Sequence, residues 1–199
     1  MTELIRIEWL KLRTTRSPWF LLLAGVALVV AGISGVGRGG TDLALPSTVA
    51  KAAAHVGLVS VLSLVLGILM VAGEYRHKTI TDAYLSTPRR SSVIEAKLIV
   101  ASTMGLLYGV VCAAVALLTL TLWWKAKDLP LDPSNGDLWH TLVGGVAWNV
   151  GFAAIGVGIG ALVRNVTAAI ALALAWVAVV EGVVGQLVGD LARWLPFAS

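Results

Sequence analysis

The chain has 199 residues, of which 58% are hydrophobic and only 13% charged, and its formal net charge is +4. A soluble domain carries roughly a quarter charged residues, so this composition excludes a free globular enzyme and defines an integral membrane protein. The basic residues lie in loops beside apolar runs, so the excess reports orientation and anionic headgroups rather than nucleic-acid binding.

Residues 2–16 come first. Ile5, Trp9 and Leu12 share one helical stripe and Arg6 and Arg13 another, although Ile7 and Leu10 fall off the pattern. The spacing predicts a basic, moderately amphipathic helix lying on the inner membrane surface. A cleavable signal peptide is not expected, because Glu3 and Glu8 are mixed with four basic residues and no small-residue cleavage site follows a short apolar core.

A spanning helix needs about 20 predominantly apolar residues, and five segments qualify: 18–37, 52–73, 98–124, 141–163 and 166–188. Ser17-Pro18 opens the first, where a proline in the first turn loses no hydrogen bond. Only Arg164-Asn165 parts the fourth from the fifth, predicting a tight antiparallel hairpin. The fold expected is an all-α polytopic bundle forming one transmembrane domain, residues 1–199.

Lysine and arginine set its orientation. One side receives Arg6, Lys11, Arg13, Arg16, Arg76, Lys78, Arg89, Arg90, Lys97 and Arg164, ten in all; the other receives Arg38, Lys51, Lys125, Lys127 and Arg193, offset by acidic residues such as Asp42 and Asp137. The N-terminus and the loop 74–97 are therefore expected in the cytoplasm. Trp19 would mark the inner border, and Trp123, Trp124 and Trp139 the outer one, as an aromatic belt. The turn-rich stretch Lys125–His140, with Pro130, Pro133 and Ser134-Asn135-Gly136, reads as external.

The loop 74–97 is the most distinctive stretch. It is a polar, basic island between two spanning runs and lacks the glycine-rich looseness of a linker. Thr79–Ser86 can make two helical turns, Thr87-Pro88 resembles a cap followed by proline, and Ser92-x-x-Glu95 is a capping-box pattern opening the third span.

Little else carries chemistry. Gly35-Val36-Gly37-Arg38-Gly39-Gly40 and the glycine run at 156–160 imitate dinucleotide motifs but lack the strand–turn–helix context that gives such motifs meaning, and no phosphate-binding G-x-x-x-x-G-K-[ST] loop exists. Gly105/Gly109, Gly156/Gly160 and Gly185/Gly189, with the small face Gly57, Ser60, Ser63 and Gly67, predict close helix packing, in this chain or with another. His55, His77 and His140 are scattered, and Cys112 is the single cysteine, so neither a metal site nor a disulfide is expected. No catalytic residues and no bound cofactor are expected. Glu181 is an acidic residue within a span and hence a candidate for the transport path or for an ion relay, unless it is merely interfacial. Tyr108, Trp148, Asn149 and Trp176 are further polar-tipped or aromatic residues at depth, candidates for the path or for packing.

At the loop the chain resembles the permease subunits of ATP-binding-cassette exporters of the type-2 transporter family. Gly73-Glu74, Thr79, Leu85, Pro88, Arg90 and Ala96-Lys97 carry the resemblance, together with the basic N-terminal segment, the short turn between the fourth and fifth spans and Leu195-Pro196-Phe197. The resemblance implies that residues 2–16 form an elbow helix and that Glu74–Leu85 includes a coupling helix docking into a separate ATPase subunit. Glu74, Arg76, Lys78, Thr79, Arg89 and Arg90 are then the coupling contacts, and ATP and magnesium belong to the partner. Two permeases, alike or related, would pair in the cell membrane and pass the substrate along their interface. The family pattern has six spans; five are legible here. The alternatives are a secondary carrier or channel using Glu181 as an ion relay, and a non-transporting membrane scaffold or immunity protein.

Overall fold

The computed structural model describes residues 1–39, 45–79, 90–129, 132 and 134–179. The expected helix within 79–86, Arg89, Glu181, Gly185/Gly189 and Leu195-Pro196-Phe197 lie wholly or largely outside these residues. Among the described residues every regular element is helical: α1 (Thr2–Thr14), α2 (Ser17–Arg38), α3 (Pro46–Ala53), α4 (His55–Leu58), α5 (Ser60–Arg76), α6 (Arg90–Ala126), α7 (Gly136–Val163) and α8 (Val166–Val179). Four stretches of the described residues are long and apolar enough to cross a membrane: α2, the rod from Ser47 to Arg76, α6 from Ser91 onward, and α7; α8 is a shorter apolar helix. The protein is a polytopic helical membrane bundle.

Helices outrun the apolar runs. The third span was expected from residue 98, yet α6 begins at Arg90 and continues for 37 residues, about 55 Å at the rise of an α-helix. Its first two turns are polar but keep the backbone hydrogen-bonded, so Ser92 lies inside the helix instead of capping it. The fourth span likewise starts early, at Gly136, because the Asn135 side chain accepts hydrogen bonds from the backbone N–H groups of Asp137 and Leu138. Asn165 does the same for α8, accepting from Ala168 N at 3.0 Å. Between them Arg164, at φ 55°, ends α7 in the left-handed conformation and makes the tight turn. Its guanidinium lies 5.7 Å from the Tyr75 ring centroid, which places this turn beside the C-terminal end of α5.

The centre of the bundle is α5 against α7, with α6 packed on both. Glycine makes this possible. A Cβ on Gly67 would overlap the carbonyl oxygen of Ala153 and fall 2.8 Å from Val157 N, and one on Gly156 would overlap the carbonyl of Leu64. Gly105 and Gly109 of α6 meet Asn149 and Val146 of α7 in the same manner. These glycines thus find their partner helices within the chain, in the close backbone approach that small residues allow in lipid. α2 lies outside this group, burying Gly25, Val29, Ile33 and Gly37 on one face while Phe20, Leu23 and Val30 stay exposed.

Two features near the C-terminal end of α6 depart from expectation. Trp124 is 1% exposed and belongs to the core instead of an aromatic belt. Trp123 donates from Nε1 to Ser34 Oγ at 3.0 Å and takes Arg38 over its ring, tying α2 to α6. The rod from α3 to α5 is interrupted at Ala54 and Val59, where Gly57 N bonds Ala54 O and Leu62 N bonds Val59 O in tighter, i to i+3 turns. The Asn149 amide braces this break: Nδ2 donates to Val56 O at 3.1 Å and to Gly145 O at 2.8 Å, and Oδ1 accepts from Ser63 Oγ at 2.6 Å. Asn149→Ala removes all three bonds and leaves the Ser63 hydroxyl without that acceptor. We expect it to lower stability by about 1–3 kcal/mol, read as a drop in the melting temperature of the purified protein; an unchanged melting temperature would exclude this bracing role.

Candidate functional site

Four ionisable side chains meet where α1, the end of α5 and the start of α6 converge. Lys97 Nζ lies 2.8 Å from Glu8 Oε2 and 2.7 Å from Glu74 Oε1, and donates to the Met70 carbonyl at 3.2 Å. Lys11 Nζ lies 2.7 Å from Glu8 Oε1 and 2.8 Å from the same Glu74 Oε1. Two carboxylates and two ammonium groups make the quartet neutral. Lys97 is 0% exposed, which is sustainable because each of its three N–H groups has an acceptor.

Helix geometry explains the convergence. Glu8 and Lys11 stand three residues apart on α1 and so share a face. Glu8 also lies between Ile5 and Leu12 on the apolar stripe, which turns it inward with Leu12. Lys97 occupies the position four residues after Val93 and four before Ala101, both buried, on the inward stripe of α6. Glu74 sits in the last turn of α5, the end at which the helix dipole disfavours an anion, and the two lysines more than compensate. For Lys11, burial works to lower the pKa, but hydrogen bonds and charge from Glu74 and Glu8 outweigh it and raise the pKa above the ordinary 10.5. A cation whose folded pKa is raised stabilises the fold at all pH below its unfolded value, and that share is lost only as pH rises through the folded value. The Lys11 ammonium is therefore charged at neutral pH.

A cleft of about 480 Å³ opens beside the quartet, lined by Glu8, Lys11, Leu12, Thr15, Ser17, Pro18, Leu66, Leu69, Met70, Gly73, Glu74, His77 and Thr79. Glu74 Oε2 is buried there without a hydrogen-bond partner among the described residues.

The sequence-derived coupling residues divide. Glu74 is committed to the lysines of its own chain, whereas Arg76, Lys78 and Thr79 are exposed just past it; Arg90 opens α6, and Arg89 lies outside the described residues. The candidate path residues do not share a cavity. Tyr108 is buried and donates to the Pro18 carbonyl, anchoring the start of α2. Asn149 is held between α5 and α7. Trp148 is partly exposed and packs edge-on against Phe152, and Trp176 is 69% exposed. None of the four lines the cleft, and Glu181 lies outside the described residues. Among the described residues no cluster of His, Cys, Asp or Glu could hold a metal ion. Sequence reasoning placed Glu8 and Lys11 on a surface helix and counted Lys97 among the loop residues that carry the family resemblance, without bringing the three together. The signal that marks Glu8 and Lys97 is a charge placed on an apolar stripe.

A bundle of apolar helices with a buried ion-pair centre beneath an exposed basic segment defines a polytopic membrane protein. A family model described as ABC-2 family transporter protein matches residues 4–180, and the chain belongs to that family. No curated protein and no solved structure matches it significantly. It is a transmembrane transport protein, and permeases of this family generally work with ATP-binding-cassette ATPases.

Proposed function

We propose that the chain is the membrane-spanning subunit of an ATP-driven exporter, driven through the segment that follows Glu74 by a separate ATPase subunit that binds ATP and magnesium. The observation that carries this reading is the quartet. It joins the elbow helix α1 to both stems of the loop 74–97, so displacement of the loop is transmitted to α5, α6 and, across Thr15–Arg16, to α2. In this reading Glu74 braces the loop from within, and Arg76, Lys78 and Thr79 present the contacts to the ATPase. The ten-to-five division of basic residues supports a cytoplasmic position for that face, in a cell membrane. Two permeases pair to complete the path.

The test is reconstitution with the candidate ATPase. The ATPase should bind inside-out vesicles carrying the chain, fail to bind right-side-out ones, and support transport only with hydrolysable ATP. A lone protomer that moves substrate down an ion gradient without ATP would overturn the exporter reading.

A further inference from the structure

The cleft between α1 and α5 has properties that coupling does not use. Its walls differ in kind: Leu66, Leu69 and Met70 of α5 supply an apolar side, and Lys11, Thr15 and Glu74 a polar one. At about 480 Å³ it falls within the roughly 300–1,000 Å³ of small-ligand sites. Two hydrogen-bonding valences in it are unfilled. Glu74 Oε2 lacks a donor among the described residues. Lys11 Nζ has three N–H groups, of which two meet Glu8 and Glu74, and its side chain remains 45% exposed.

A ligand that satisfies both must donate to a carboxylate oxygen and accept from an ammonium group. It must also carry no net charge, since the quartet is already neutral, and place an apolar segment along Leu66 and Leu69. We propose that the cleft binds the headgroup of a membrane phospholipid bearing a primary ammonium. The ammonium donates to Glu74 Oε2, the phosphate accepts from Lys11 Nζ, and the first part of an acyl chain lies along the α5 wall. A trimethylammonium headgroup has no N–H for Glu74, and a glycerol headgroup brings an uncompensated negative charge. The height is appropriate: the cleft sits where an amphipathic surface helix meets the ends of two spans, at headgroup level. Oε2 itself is closed to bulk water, and the half-exposed Lys11 side chain is the group able to move aside for the ligand.

The test uses the full chain, purified in mild detergent and mixed with dioleoyl phosphatidylethanolamine, phosphatidylcholine or phosphatidylglycerol at equal mole fraction, with bound lipid counted by native mass spectrometry. The expected result is one phosphatidylethanolamine retained per protomer, with about tenfold preference over the other two, the worth of a charge-assisted hydrogen bond. Thr15→Trp, which fills the polar side and leaves the quartet intact, should abolish retention without lowering the melting temperature. Glu74→Gln should erase the discrimination between phosphatidylethanolamine and phosphatidylcholine; if that variant does not fold, Thr15→Trp decides alone. Equal retention of the three lipids, preference for phosphatidylglycerol, or retention undiminished by Thr15→Trp would each overturn the proposal. None of these readouts requires the ATPase, so their failure leaves the exporter reading standing.

Discussion

Lys97→Met is expected to unfold the loop junction and abolish transport. Methionine nearly matches the lysine stem in volume, so packing changes little, but the quartet loses one of its two positive charges. Glu8 Oε2 is then left without the cation 2.8 Å away, and Glu74 keeps only Lys11. Breaking a buried ion pair by removing one partner typically costs about 3–5 kcal/mol, because the remaining charge stays desolvated. The measurement is thermal unfolding of the purified protein beside transport in liposomes. Adding Glu74→Gln restores neutrality and should recover most of the lost stability. It should not recover transport, since the tie between α5 and α6 remains cut. Lys11→Met offers the contrast: that lysine is 45% exposed, water screens what it leaves behind, and the loss should be about 1 kcal/mol. A Lys97→Met protein as stable as its parent would show that the buried charges do not hold the junction.

Gly67→Val is the second large effect. The added side chain has nowhere to go, because even its Cβ would overlap the carbonyl of Ala153, and backbone, unlike a flexible side-chain tip, cannot turn aside. The α5–α7 pair would have to separate, which also strains the Asn149 hydrogen bonds one to two turns away. We expect a loss of about 3 kcal/mol or more, seen as aggregation on size-exclusion chromatography and a sharply lowered melting temperature. Gly151→Ala on α7 is the control. A Cβ there meets nothing within 4 Å, so alanine should be neutral or stabilising by up to about 1 kcal/mol through helix propensity. Equal behaviour of the two variants would mean that close backbone approach does not govern this pair.

The apolar runs were legible because bilayer thickness imposes a length that composition must honour. Their ends were not. Arg90–Ala96 and Gly136–His140 mix polar with apolar residues, and a hydropathy reading assigns them to loops, although a helix there satisfies its backbone as well as water would. The closeness of glycines to neighbouring helices was legible, but not which helices, since the pattern is the same for a partner in this chain and for one in another. The quartet was hidden for a different reason. Glu8 and Lys97 are 89 residues apart, and only the fold reveals that two charges facing inward on separate stripes cancel. Glu74 and Lys97 drew attention through the family resemblance, which marked the loop without showing that its stems are bolted to the elbow helix.

The interruption of the second rod at Val59, held by Asn149 through the Val56 carbonyl, gives α5 a mechanical character. Below that joint the helix runs without further breaks to Arg76, and Glu74 stands about 22 Å from Val59 at 1.5 Å per residue. The segment is a lever with its fulcrum near one end and its load-bearing carboxylate near the other. A tilt of about 10° at the joint carries Glu74 sideways by about 4 Å, somewhat less than one helical turn. Conversely, a displacement of that size imposed at the loop returns to the joint as a small rotation, of the kind that the tightened turns around Val59 can absorb.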